Sequence, residues 1–264
     1  MNNKTCAEEF VKLLDIMDQL REKCPWDKKQ TNETLRNLTI EETYELADGI
    51  LSDNNDEIKG ELGDLLMHLT FYAKIGEEKG AFNMIDVIKA IYEKLIYRHP
   101  HVFGEVKVQN AEEVSKNWES LKTREKSEYK RVLSGVPKSL PAVVKAYRIQ
   151  EKASGVGFDW EEPNLVWDKI EEEFGELKNE LDKNNKEKAE IEFGDLLFTM
   201  INAARLYNID PEAALEKSNR KFISRFNYIE SETLMKKRSL KDMSLAEMDK
   251  LWDEAKEIEK EKGE

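Results

Sequence analysis

The sequence predicts an all-α protein made of two tandem, duplicated helical bundles, and three observations predict it. Apolar residues recur at helical spacing along nearly the whole chain. Proline and glycine are scarce, 6 and 12 in 264 residues, whereas an all-β sandwich needs a turn about every ten residues. One pattern of acids is also written twice: displaced by 131 positions without a gap, Glu42, Glu45, Glu61 and Asp64 become Glu173, Glu176, Glu192 and Asp195.

The elements follow in order. Phe10, Leu13, Leu14, Met17 and Leu20 mark the stripe of a first helix, which "KCPWDKKQT" breaks at Pro25. Leu35 to Leu51 reads as a helix, "SDNN" as a turn and Ile58 to Ile75 as the return helix. Phe82 to Tyr97 is a further helix, stopped by Pro100. "HVFGEVKV" is the one stretch with strand-like composition, and Val114 to Thr123 is again helical. Charge, glycine and proline then take over in "REKSEYKRVLSGVPKSLP". The predicted division is an N-terminal domain 1–124, a linker 125–139 and a C-terminal domain 140–264. The second half restarts the pattern: a helix over Ala142 to Lys152, the aromatic loop "ASGVGFDWEEP", a helix over Leu165 to Leu181 and the turn "DKNN". Helices over Lys186 to Tyr207, Pro211 to Thr233 and Leu245 to Lys260 complete it. A repeat this long is a duplication of domains, not a short-period solenoid.

Charge sets limits on function. At a net charge of −13 the chain lacks the basic footprint of a nucleic-acid-polymer binder. An anionic ligand would need a local basic patch or a bridging cation. Cys6 and Cys24 form no CxxC motif and read as free thiols of a reducing compartment. No segment approaches the ~20 apolar residues that span a bilayer. The expected location is the cytoplasm, with no membrane partner.

The acids carry the chemistry. Residues i and i+3 share a helix face, so Glu42 projects with Glu45, and Glu61 with Asp64. In an antiparallel helix pair, residues equidistant from the turn lie level. The midpoint of the first quartet is Asp53, inside "SDNN", and that of the second is Asn184, inside "DKNN". Each turn therefore brings its own two acid pairs together. Four facing carboxylates raise one another's pKa, and a divalent cation removes the conflict. The donors are all oxygen, which suits Mg²⁺, with Mn²⁺ as a possible substitute. The residues three before His68, His99 and His101 are Leu65, Ile96 and Arg98, so the Glu-x-x-His of a di-iron bundle is missing. Gly63 and Gly194, beside the two aspartates, suggest a close helix approach or room for a ligand.

A metal beside bases invites a polyphosphate. In "EKSNRKFISRF", Lys217, Lys221 and Arg225 recur every four residues as one basic stripe, with Asn219 to its side. Lys188 lies one turn before Glu192. In the first half, Lys94 and Arg98 repeat the spacing of Lys221 and Arg225, but Tyr92, Ala90 and Glu57 stand where Asn219, Lys217 and Lys188 do in the second. The second half is thus better equipped for a phosphate chain. Trp26 and Trp160 precede the two quartets in loops, where a tryptophan can stack on a base or cap a core. His99 and His101 flank Pro100 past a helix end, a place for local hydrogen bonds.

Two copies of ExxE and ExxD, together with "CPWD", "RHPHVF" and "GFDW", resemble the MazG nucleoside triphosphate pyrophosphohydrolases over nearly the whole chain. The resemblance implies an all-α fold and, usually, a homodimer. It implies Mg²⁺ held by Glu173, Glu176, Glu192 and Asp195, with Glu42, Glu45, Glu61 and Asp64 as the first-half counterparts. The implied reaction converts a nucleoside triphosphate and water to a monophosphate and pyrophosphate, on ribo- and deoxyribonucleotides, for pool sanitation or in stress. The C-terminal domain is the implied main catalytic one, with Lys188, Lys221 and Arg225 on phosphates and Trp252 on the nucleotide side. The rival from another class is a nucleotide- or alarmone-sensing dimer with little turnover that passes its signal to a protein regulator.

Overall fold

The structure, a computed structural model, describes residues 2–110, 113–114, 117–118, 121 and 131–262. Its contacts gather into two compact units, Met1–Lys122 and Thr123–Glu264. Of the expected helix over 114–123, only residues 114, 117, 118 and 121 are described, all as helix; the rest of it and part of the expected linker lie outside the described residues. Among the described residues every regular element is helical. The strand-like "HVFGEVKV" forms no strand: Pro100–Phe103 is a single helical turn, and no strand follows it. Proline at the first helical position presets the backbone for that turn, and this outweighs the β-branched composition.

In the first unit, α1 spans Asn3–Lys23, α2 Asn32–Leu51, α3 Asn55–Glu78, α4 Met84–Arg98 and α5 Pro100–Phe103. Capping fixes the starts: Thr31 with Thr34, and Asn83 with Asp86, form capping boxes at α2 and α4. The core is Met17, Leu35, Phe71 and Ile75, with Leu38, Met67 and Tyr72 packed on it. Arg21 ties the "CPWD" loop to this core. Its guanidinium binds Glu78 at 2.5 Å and the carbonyl of Gln30 at 3.2 Å, also donates to the carbonyl of Asp27, and lies 5.5 Å over the Phe71 ring.

In the second unit, α6 spans Ala142–Ser154, α7 Leu165–Asp182, α8 Lys186–Leu206, α9 Pro211–Met235 and α10 Leu245–Lys262. Its buried apolar residues include Ala146, Val166, Leu177, Ala189, Ala203, Ile229, Leu251 and Ala255. The α2/α3 and α7/α8 hairpins are the most extensive helix packings of their units.

The two hairpins turn in the same way. Asp53 and Asn184 adopt left-handed backbone, φ 51° and 54°. Around them the N–H of Asp53 bonds the carbonyl of Ile50 and that of Asn54 the carbonyl of Gly49. The N–H groups of Asn184 and Asn185 repeat this on Leu181 and Glu180. These are Schellman motifs, which satisfy the last free carbonyls of the incoming helix. The Asn54 and Asn185 side chains then cap α3 and α8.

Candidate active site

The α7/α8 hairpin holds the second quartet and the α2/α3 hairpin the first. The shared turn geometry brings the glutamates level. One carboxylate oxygen from each of Glu173, Glu176 and Glu192 lies within 4.8 Å of the others, and Glu42, Glu45 and Glu61 repeat the arrangement. Asp195 and Asp64 stand beside these triads and act on them through charge. Glu173 is buried, Glu192 half-buried and Glu176 exposed.

Mutual repulsion is visible in the proton affinities. Burial, then Glu176, Asp195, Glu173 and Glu180, push Glu192 above the usual carboxylate range. Burial raises Glu61 too, followed by its closeness to Glu42 and the charges of Asp64 and Glu57. Burial and then Glu61, Glu41, Asp64 and Asp48 raise Glu45. Glu61 Oε2 is buried without a hydrogen-bond partner. The donor set fits a hard divalent cation: it is all oxygen and converging. Oxygens around magnesium at ~2.1 Å lie about 3–4.2 Å apart, so the triads need only small side-chain movements.

The expectation of a close helix approach at Gly63 and Gly194 is corrected: a Cβ added at either would meet nothing within 4 Å. The space beside both aspartates is open, which leaves the other expectation, room for a ligand.

The bases fall into two groups. Lys188, exposed in the first turn of α8, adds its charge to that of Lys183 around Glu180. On α9, Lys217 and Lys221 are exposed, and the Asn219 amide donates to Glu216 at 3.3 Å. Arg225 is committed to Glu259 of α10 at 2.8 and 2.6 Å and lies 5.4 Å over the Trp252 ring. Phe222 packs on that ring at 5.1 Å. The structure thus joins Arg225 and Trp252, and Glu259 is the partner the sequence reading missed. In the first unit Lys94 is exposed, while Arg98 is buried and lies 5.3 Å over Trp118. Trp118 was also missed, although "KNW" before it and "KLW" before Trp252 are a visible likeness.

Trp160 is half-buried, and its N–H donates to Asp159. Asp159 also receives Ser154 at 2.5 Å and Arg205 of α8. Burial pushes the Asp159 carboxyl up, but Arg205, Ser154 and the Trp160 N–H outweigh it and hold it low. Trp26 is exposed, and the His99 ring donates to the Leu95 carbonyl at 2.6 Å, a local bond as expected.

The most informative residue missed is Lys169. Its ammonium lies 2.8 Å from Glu173 and 2.9 Å from Glu172, and these carboxylates raise its pKa. A lysine four residues before a ligand on one helix face is a signal that could have found it. The first unit has Leu38 in the same register.

Comparison with known proteins places the chain in a family. The family model described as the MazG nucleotide pyrophosphohydrolase domain matches twice, over residues 30–103 and 161–229. The chain is 45% identical over 250 residues to the nucleoside triphosphate pyrophosphohydrolase/pyrophosphatase MazG of Thermotoga maritima, covering 94% of this chain and 95% of that one. It is 40% identical over 258 residues to the nucleoside triphosphate pyrophosphohydrolase of Escherichia coli K12, covering 95% and 98%. The uncharacterized protein YabN of Bacillus subtilis is 46% identical over 261 residues, which cover 97% of this chain and 53% of YabN. A domain model matched in each half, each time across a carboxylate hairpin, and relatives aligned over nearly their whole lengths lead to one conclusion: the chain belongs to the MazG family of nucleotide pyrophosphohydrolases, hydrolases that act on acid anhydrides.

Proposed function

We propose that the chain is a Mg²⁺-dependent nucleoside triphosphate pyrophosphohydrolase of broad specificity. It converts ribo- and deoxyribonucleoside triphosphates and water to monophosphates and pyrophosphate, mainly at the second unit. The observation that carries this reading is the convergence of Glu173, Glu176 and Glu192 within 4.8 Å beside Lys169. Glu173, Glu176, Glu192 and Asp195 would hold the magnesium, and Mn²⁺ would serve in its place. Bound there, the metal would supply charge neutralisation for the phosphates and a lowered pKa for a coordinated water.

The chain's own residues supply the rest. Glu173 is committed to Lys169, which leaves the exposed Glu176 to accept the proton of the attacking water. Oxygen attacks the α-phosphorus, the bond to the bridging oxygen breaks, and pyrophosphate leaves. Lys169, Lys188, Lys217, Lys221 and Arg225 balance the charge on the phosphate chain. Asn219, Trp252 and Trp160 position the nucleotide. Phe174, Phe193, Leu197 and Met200 on the catalytic hairpin are exposed large apolar residues, which supports a homodimer that covers them. Pool sanitation in the cytoplasm is the role that suits broad specificity.

The test is a panel of triphosphates with magnesium, with pyrophosphate and phosphate resolved, on the wild type, Glu176→Ala and Glu45→Ala. Pyrophosphate is the expected product, and the larger loss falls on Glu176→Ala. If Glu45→Ala suffers the larger loss, catalysis belongs to the first unit. Tight triphosphate binding without turnover makes the chain a sensor.

A further inference from the structure

The basic stripe of α9 does not hold its members alike. Lys217 and Lys221 are exposed, whereas the Arg225 side chain is only 20% exposed and that of its partner Glu259 only 17%. α10 meets Arg225 on two sides. Glu259 Oε2 accepts from Nε at 2.8 Å and from Nη2 at 2.6 Å, and the guanidinium carbon lies 5.4 Å over the Trp252 ring. Trp252 and Glu259 are seven residues apart, about two helical turns, so they share one face of α10. The ring is itself held: Phe222 packs on it at 5.1 Å, and Phe226 stacks on Phe222 at 6.1 Å. A contact on the edge and another on the face together fix the plane of the guanidinium.

Glu259 is oddly placed for its own helix. It lies in the last turn of α10, where the partial negative charge of the helix end disfavours a carboxylate. The bond from Arg225 outweighs burial and, with the charges of Arg225 and Lys221, holds the Glu259 carboxyl below the usual carboxylate range. The carboxylate therefore sits among two of the three stripe bases. It occupies only one edge of the arginine. A guanidinium has five N–H groups. Glu259 takes two of them, and Nη1 has no hydrogen-bond partner among the described residues. A phosphate that approaches the Nη1 end can bind without displacing Glu259. The spacing also recurs in the first half of the sequence, where Glu125, outside the described residues, follows Trp118 by seven.

We infer that Glu259 is a positioning residue of the nucleotide site: its carboxylate holds the Nε edge of Arg225 over Trp252, so that the remaining N–H groups are preset for the phosphate chain of a nucleoside triphosphate. An arginine held in advance loses less side-chain freedom when the ligand arrives. Removing Glu259 leaves the charge of Arg225 in place but frees its rotamers. The loss therefore falls on binding, not on the chemical step at the α-phosphorus. This inference rests on the reading of the second unit as a triphosphate site.

The test uses the full chain with magnesium. Pyrophosphate release from the four ribonucleoside triphosphates, and isothermal titration of their α,β-methylene analogues, are run on the wild type and on variants. Glu259→Ala should raise KM and weaken analogue binding by about threefold to tenfold, the scale of one freed side chain, with kcat changed by less than about twofold. Glu259→Met, which keeps the stem and lacks the acceptor, takes its place if the alanine variant does not fold. Glu259→Gln, whose amide oxygen still accepts from Arg225, should recover most of the loss. In a chain that already carries Arg225→Ala, Glu259→Ala should have no further effect on binding. Glu247→Gln is the control: it breaks the pair with Arg238 on the same helix, should lower the melting temperature and should leave KM unchanged. The inference is overturned if Glu259→Ala keeps the wild-type KM, if Glu259→Gln recovers nothing, or if the loss persists without Arg225. Tighter analogue binding in Glu259→Ala overturns it too, because Glu259 would then compete with phosphate. A wild type whose analogue binding responds as expected but which releases no pyrophosphate overturns the hydrolase reading alone.

Discussion

Lys169 differs from every other base considered for the phosphate chain because its partner is itself a proposed metal ligand, Glu173, 2.8 Å away. Lys169→Met should lower kcat/KM for pyrophosphate release by about tenfold to a hundredfold, the scale of one charge-assisted hydrogen bond. A change below twofold would exclude contact with the phosphates. The raised carboxyls make a second prediction. A group with a raised folded pKa favours folding at low pH and loses that contribution as pH rises through the folded value. Glu45, Glu61 and Glu192 therefore weigh against folding above their shared reference of 4.5, once ionised. Magnesium should raise the melting temperature at pH 7, and the rise should shrink as pH falls toward that value, where protons compete with the metal. A magnesium effect independent of pH would count against carboxylate binding. Glu247 has the opposite sign. Arg238 first, then the N–H and hydroxyl of Ser244, hold its carboxyl at about 2. Its contribution is full above the ordinary carboxylate range and is lost as pH falls toward 2. Glu247→Gln should lower the melting temperature at pH 7, with the gap closing in acid.

At the scale of elements, the hairpin is the unit that builds a site, and its turn was legible. Helical periodicity and the repeated acids located both midpoints, because register follows from spacing once the helices are antiparallel. The left-handed residue at each midpoint was hidden, since backbone sign is not written in apolar pattern. Asn184→Ala should destabilise the second unit by about 1 kcal/mol, while Asn184→Gly should be neutral or stabilising, because glycine, and after it asparagine and aspartate, adopt that conformation at less cost than alanine. Equal melting temperatures for the two variants would show that the turn does not need its left-handed residue. The same limit explains the other misses. Lys169, Glu259 and Trp118 act through pairs formed between side chains, and sequence places residues on faces without saying which neighbours they choose. "HVFGEVKV" misled because composition is local, whereas Pro100 sets the backbone that follows it.

Across the whole molecule, duplication supplied two copies of one metal hairpin, and the copies differ most in their cations. If those cations decide which copy cleaves triphosphates, restoring them should move the activity. Leu38→Lys with Glu57→Lys, in a chain already carrying Glu192→Gln, gives the first unit lysines in the registers of Lys169 and Lys188. Leu38 is only half-buried at the edge of the core, so a lysine can pack its stem there and extend its ammonium toward Glu42, four residues on. Pyrophosphate release should rise above that of the Glu192→Gln parent, require magnesium and disappear again with Glu61→Gln. A chain that keeps its melting temperature and shows no rise would place the difference between the copies elsewhere, in His68 against its register equivalent Thr199 or in the way Arg98 and Arg225 meet their tryptophans.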